Sequence, residues 1–430
     1  MTDSKKKLYA WYGDDFTGST DVLERLALSG IPTVLFTAPP TEAALATFSH
    51  CRAIGIAGES RSQSPAWMDA HLPAVFERIK SFGAAVNHYK VCSTFDSSPT
   101  VGSIGRAIEL GLQVFEQQSA PVVVGAPHLS RWVVFGNLFA ADRGQVFRID
   151  RHPNMCNHPV TPMHEADLAE HLRLQTNLPI GRLDLAAFQS GHAQKQFHAQ
   201  LAGGARIVVF DGVDAATLAE TGRMIMNLST LQPLFAVGSS GLTYGLLEQW
   251  RNLGLLGAPP QLPPPSPVDR LLVLSGSCSP VTARQIQQAM RQGFSTFHLD
   301  PATDWNKTRH AAEDALRRGQ SVVLYTALGP NDSKQPYGAA FSASLGAELR
   351  TLLLSTGIRR VLVAGGDTST HAVQQLGLQA LTFSAPLVAG APLCLGHAPG
   401  SPLHGLELVL KGGQIGPEGF FAQVRNGQLN

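Results

Sequence analysis

Short runs of Val, Ile and Leu recur along the chain, each closed by Gly, Ser or Asp. Several are followed by longer stretches in which apolar residues return every three or four positions. Switching between these two periods marks an α/β protein with mainly parallel strands. In the N-terminal part the runs predict strands at residues 8–12, 33–36, 53–56, 87–91, 122–124, 207–210 and 235–237. Residues 69–82 illustrate the helical pattern: Leu72, Val75, Phe76 and Ile79 share one face, spaced for packing on a sheet.

The pattern breaks once, at APPQLPPPSP (residues 258–267), whose six prolines suit neither a helix interior nor a central strand. We read residues 258–270 as a linker between an N-terminal α/β domain, 1–257, and a C-terminal one, 271–430. Strands resume at 271–274, 296–299, 322–325, 361–364 and 407–410. The expectation is two Rossmann-like three-layer lobes with mainly parallel sheets and an active site in the cleft between them. Such a shape suits an enzyme closing on two substrates, and equally a binding protein closing on one.

Composition narrows the function. Charged residues are 15% of the 430, against roughly 25% in average soluble domains, and 33 Lys plus Arg against 32 Asp plus Glu leave a formal charge of +1. No broad positive field is available for nucleic acid or an anionic membrane, so an anionic ligand must be gripped locally. The five cysteines form no C-x-x-C pair, and a reducing cytoplasm is the simplest compartment. The basic start MTDSKKK leads into LYAWYGDDF, whose carboxylates interrupt the apolar run an export signal needs. A monomer and a homo-oligomer both stay open.

Candidate chemistry lies where strands run into turns. In YGDDFTGSTD, Asp14 and Asp15 follow a strand and precede a helix starting near Ser19, at the sheet edge where open α/β folds bind ligands; capping of that helix is the competing role. HYKVCSTFDSSP carries Lys90 into a hydroxyl-rich turn, Val91, Cys92 and Ser93 onward, able to hold a carboxylate or polyol. Arg61, in GESRSQSP, offers a planar fork suited to a carboxylate. Beyond the linker, VLSGSCSPVTARQI places Ser279 as an N-cap before Pro280, with Ser277 in the turn. VAGGDTSTHAV brings Gly365, Gly366, Asp367 and Thr368 to another helix start, and LKGGQIGPEGFF adds Gly412 and Gly413 after a strand. Three such turns in one lobe suggest a nucleotide, although the P-loop pattern and the dinucleotide G-x-G-x-x-G are both missing. His128, His152 and His158 fall in a connecting region and read as polar surface. NHPVTPMHEADL stands out because Pro159 and Pro162 stiffen a loop just before a helix.

These motifs, in this order from about residue 8 to the C-terminus, resemble those of the four-carbon acid sugar kinase family, and Cys-Ser-Thr-Phe-Asp is most similar to its 3-oxo-tetronate kinase branch. The resemblance implies ATP-dependent phosphorylation of the terminal hydroxyl of a four-carbon sugar acid, with Mg²⁺ accompanying ATP. It implies sugar-acid binding by Asp15, Arg61 and the stretch Lys90, Val91, Cys92 and Ser93. It also implies ATP binding by Ser277, Gly365, Gly366, Asp367, Thr368 and Gly413. On this reading the N-terminal domain binds the sugar acid and the C-terminal one the nucleotide. Asp15 is the expected catalytic carboxylate, with Asp14 second. Where relatives commonly carry Glu this chain has Asp367, and in place of Lys-Ser-Gly-Asn-Phe-Gly it has KGGQIG. A D-threonate, D-erythronate or related sugar-acid kinase is the alternative within the family, and a sugar-acid sensor and a dehydrogenase or decarboxylase of the same acids are the competing classes.

Overall fold

A computed structural model describes residues 7–142, 144–158, 160–230, 232–300, 305–329, 332 and 339–428. Among these the strands are β1 (Tyr9–Gly13), β2 (Thr33–Phe36), β3 (Ala53–Ala57), β4 (Val86–Lys90), β5 (Ala120–Val123), β6 (Arg131–Val134), β7 (Asn137–Asp142), β8 (Gln145–Arg148), β9 (Ile180–Leu183), β10 (Ile207–Phe210), β11 (Leu234–Gly238), β12 (Leu272–Ser275), β13 (Ser295–His298), β14 (Val322–Tyr325), β15 (Arg360–Ala364), β16 (Ala380–Val388), β17 (Ala391–His397) and β18 (Glu407–Lys411). The chain is α/β and forms two compact units.

The first unit comprises the residues up to Asp14, Arg25–Thr33 and Ser49–Pro259. Its sheet runs β3-β1-β4-β11-β5-β10-β9, all parallel. β1, β3 and β4 are buried throughout, as strands covered on both faces must be. The helix Pro65–Ser81 begins four residues before the expected start, because Ser64 caps it by accepting a hydrogen bond from the Trp67 N–H. It buries Leu72, Phe76 and Ile79, while Val75 is only half-buried.

The second unit comprises Asp15–Glu24, Val34–Phe48 and the residues from Pro260 onward. Within it β13-β14-β12-β15-β18 are parallel, and β17, β16 and β2 continue the order through antiparallel pairings. Leu271, Val273, Val323, Leu362 and Val409 form its core with Ile286, Phe420 and Val424. One boundary falls inside the proline-rich segment, but two stretches that precede it belong to this unit. Glu24 accepts a hydrogen bond from the Gly390 N–H at 2.9 Å, and Phe36 of β2 registers with Ala380 of β16.

The twelve strands expected from apolar runs are present within two residues of their predicted ends. Six others were not expected: β6, β7 and β8, which form a separate antiparallel sheet, and β9, β16 and β17. Five of these six pair antiparallel and are buried only in part, so they lack the continuous apolar run that a doubly covered parallel strand shows. The first helix starts at Phe16, not near Ser19.

Candidate active site

In the first unit the candidate residues gather where β1 and β4 end side by side. Gly13 registers with Lys90, the Asp14 N–H donates to the Lys90 carbonyl at 2.9 Å, and the Arg61 N–H donates to the Asp14 carbonyl at 3.2 Å. Lys90 is buried, and its Nζ donates to the Val91 carbonyl at 2.9 Å. The Val91 N–H in turn donates to the Gly238 carbonyl at 2.8 Å, and Cys92 and Ser93 follow half-buried. Behind Lys90 lies His88, whose proton affinity is pushed down to about 3 by burial and by the Lys90 charge. Its ring is therefore neutral: Nε2–H donates to the Gly238 carbonyl at 2.9 Å, and Nδ1 accepts from the Tyr9 hydroxyl.

Arg61 does not stand alone. Its Nη2 meets Asp96 Oδ2 at 2.6 Å, and the Asp96 side chain is fully buried. Burial by itself would raise the Asp96 carboxyl. The Arg61 guanidinium, His158 and hydrogen bonds from Thr94 and Arg61 overcome this and hold it well below the ordinary carboxylate range. Thr161 Oγ1 adds a hydrogen bond to Oδ2 at 3.3 Å, and His158 Nδ1 accepts from the Thr161 N–H at 3.1 Å. The loop NHPVTP thus closes onto STFD; Pro159 lies outside the described residues. Phe95, just before Asp96, is buried with φ of 56°, a left-handed conformation unusual for a bulky residue. Gly102 shows why glycine is needed nearby: at φ of 63° a Cβ would stand 2.4 Å from the Arg61 carbonyl oxygen.

In the second unit three strand ends converge. Ser275 registers with Ala364, and Ala364 with Lys411. The Gly276 N–H donates to the Ala364 carbonyl at 3.0 Å and the Gly365 N–H to the Lys411 carbonyl at 2.9 Å. Ser279 caps the helix Pro280–Arg291 by accepting from the Val281 N–H, with Pro280 at its start as expected. Glycines let these turns touch. A Cβ on Gly276 would stand 1.9 Å from Thr368 Oγ1, one on Gly413 2.7 Å from Ser277 Oγ, and one on Gly365 3.4 Å from both the Ser277 nitrogen and Thr368 Oγ1. Gly365, at φ of 114°, opens the helix Gly366–Leu376, and Asp367 is exposed in its first turn. Ser277, Gly365, Thr368 and Gly413 therefore form one cluster of bare backbone and hydroxyls, with two helix N-termini beside it.

Asp15, expected in the first lobe, packs against this second cluster instead. A Cβ on Gly366 would stand 3.3 Å from Asp15 Oδ2. The carboxylate also caps the helix Phe16–Leu28, accepting from the Gly18 N–H at 2.6 Å and from Thr17 Oγ1 at 2.7 Å. The capping role and the edge position thus coexist. Asp14, one residue earlier, belongs with Lys90 and Arg61. His152 corrects the surface reading, being buried against Phe147. Sequence reasoning overlooked Asp96 and Thr161 and read His158 as polar surface, although all three stand in motifs it had singled out, because only pairing across 35 to 65 positions makes them matter.

The sugar-binding N-terminal domain family matches residues 9–246 and the nucleotide-binding C-terminal domain family residues 272–421. A 3-oxo-isoapionate kinase from Paraburkholderia graminis is 44% identical, over 98% of this chain and 95% of its own. The chain belongs to the four-carbon acid sugar kinase family. A 3-oxo-tetronate kinase from Cupriavidus necator is 31% identical over 98% of each chain. The same architecture occurs in a solved structure from Haemophilus influenzae, at a TM-score of 0.69 and 24% identity over 97% of this chain and 99% of that one. As a member of this kinase family the protein is a phosphotransferase that acts on a small-molecule sugar acid and uses a nucleotide. Among its described residues no helix is long and apolar enough to cross a membrane.

Proposed function

We propose that this kinase transfers the γ-phosphoryl group of ATP to the terminal 4-hydroxyl of a 3-oxo sugar acid, 3-oxo-tetronate in the first instance. The observation that carries the reading is the Asp15 carboxylate placed 3.3 Å from a Cβ position on Gly366, beside the cluster of Ser277, Gly365, Thr368 and Gly413. Phosphoryl transfer needs positioning and charge neutralisation more than unusual side chains. In this reading the bare amides of the second unit hold the phosphates. Asp15 orients the acceptor hydroxyl and takes its proton, with Asp14 in support. Lys90, Arg61 and the Val91–Ser93 turn hold the acid.

Among the described residues no group of three or more His, Cys, Asp or Glu side chains is gathered to bind a metal on its own. Mg²⁺ is usually held by phosphates with one or two carboxylates, and Asp367, exposed in the first turn of the helix Gly366–Leu376, is of the type required. It would hold the ion, which would neutralise phosphate charge. The five free cysteines suit a reducing cytoplasm.

A second acceptor, 3-oxo-isoapionate, is favoured by the 44% identity to a kinase of that acid against 31% to a 3-oxo-tetronate kinase. An ADP-release assay with both 3-oxo acids and with the reduced tetronates decides. The reading expects turnover with a 3-oxo acid; turnover with none, or with the reduced acids alone, contradicts it.

A further inference from the structure

Among the described residues two cations are buried in the sheet of the second unit, and they are treated differently. Arg360, at the start of β15, donates to Glu407 at 2.7 Å and to the Val424 carbonyl at 2.9 Å, so its charge is answered. Lys411, at the end of β18, is fully buried, and its Nζ donates to Thr282 Oγ1 at 2.9 Å. That is its one hydrogen-bond acceptor among the described residues, although an ammonium has three N–H groups to place. Burial is also the sole resolved influence on its proton affinity, which falls to about 7. A buried cation without a counter-charge is costly, and a fold retains one only when something outweighs that cost.

Its surroundings say what that is. Thr282 Oγ1 accepts from Lys411 and donates to the Gly413 carbonyl at 2.9 Å, so ammonium, hydroxyl and glycine turn form one chain of hydrogen bonds. Gly413 is the residue whose Cβ would strike Ser277 Oγ, and the Lys411 carbonyl accepts the Gly365 N–H. Gln285, one turn further along the same helix, holds the carbonyls of Ile415, Gly416 and Pro417 at 3.0 Å each. Nearby strand ends carry further unmet polar capacity: Ser275 Oγ and Thr326 Oγ1 are buried with no hydrogen-bond partner among the described residues.

We propose that Lys411 is a charge-bearing positioning residue of the nucleotide site, its ammonium setting the Gly412–Gly413 turn through Thr282 and supplying the positive charge that the nucleotide's phosphates answer. The proposal rests on the ATP reading above. It assigns the missing counter-charge to the phosphates, so Lys411 weakens the empty protein and strengthens the loaded one.

The test is calorimetric titration of ATP with Mg²⁺, and separately of the sugar acid, into the full-length wild type and the variants K411M, K411R and T282V, together with their ligand-free melting temperatures. K411M should melt at or above the wild-type temperature and lose about 10- to 100-fold in ATP affinity, the range of a hydrogen bond to a charged group. Its sugar-acid affinity should stay within about two-fold. K411R should recover part of the loss, and T282V should show a smaller loss in the same direction. Wild-type ATP affinity in K411M overturns the inference, as does a lowered melting temperature with both ligands weakened equally, the pattern of a purely structural residue. Should K411M fail to fold, T282V decides on the same criteria. A wild type that binds no ATP overturns the ATP reading, and this inference with it.

Discussion

At the carboxyl edge of the N-terminal sheet the candidate side chains are already held: Arg61 by Asp96 at 2.6 Å and Lys90 by the Val91 carbonyl at 2.9 Å. At the corresponding edge of the C-terminal sheet the candidates are mostly backbone. A Cβ on Gly413 would press on Ser277 and one on Gly365 would touch Ser277 and Thr368, and the nearby Lys411 has no counter-charge among the described residues. The difference matches what each proposed ligand demands. A small hydroxy acid is read by charged groups locked in fixed directions, and locking them takes a second layer of partners such as Asp96, Thr161 and His158. A polyphosphate brings its own charge and needs amides with nothing in the way.

Four outcomes would break or sharpen this contrast. The largest concerns Asp15, which belongs to the second cluster but is assigned to the acceptor. Asp15→Asn should lower kcat by about 10²- to 10⁴-fold, as loss of an acid/base group does, with ATP affinity nearly unchanged. Asn caps helices about as well as Asp, so the melting temperature should hold and the loss be chemical. A variant keeping most of its kcat removes Asp15 from catalysis.

Arg61→Ala should raise KM for the sugar acid more than it lowers kcat, because a clamp acts on ground and transition states alike. It also leaves Asp96 buried without its cation, costing about 1–3 kcal/mol in urea unfolding. Arg61→Lys should recover only part of the KM effect, since a point charge cannot reproduce a planar fork. An unchanged KM would place the acid elsewhere.

Two smaller effects follow from proton linkage. Asp96 binds its proton more weakly folded than unfolded, so the stabilisation from its pairing is complete above about pH 4 and is lost as pH falls through that range and below. Asp96→Asn should therefore flatten the acid limb of the stability profile. Lys411 shows the other sign. With its pKa lowered from 10.5 to about 7, the unfolded chain holds more protons between those values, so stability should rise with pH across that window. K411M should remove the rise, read as wild type minus variant in urea midpoints.

Much of this contrast was legible in the chain. Buried strands announce themselves as apolar runs, which is why β2, β10 and β14 match their expected bounds residue for residue. The helix start at Pro280 could likewise be read from Ser-Pro chemistry. What escaped is what depends on distant partners. The hairpin β16–β17 is set by antiparallel pairing, and Asp15–Glu24 joins the second unit through contacts with residues some 350 positions away. Lys411 was passed over because nothing local distinguishes a buried lysine from an exposed one at a strand end.

The most direct test of this division of labour is calorimetry on Gly413→Val, a change confined to the glycine cluster. Its Cβ would fall 2.7 Å from Ser277 Oγ and 3.0 Å from Ser279 Cβ, filling the space assigned to phosphate. ATP affinity should drop on the order of 100-fold or more, the loss of at least one charged hydrogen bond. The sugar acid should bind the same protein as it binds the wild type. Unaltered ATP affinity, or equal loss of both ligands, would contradict the account.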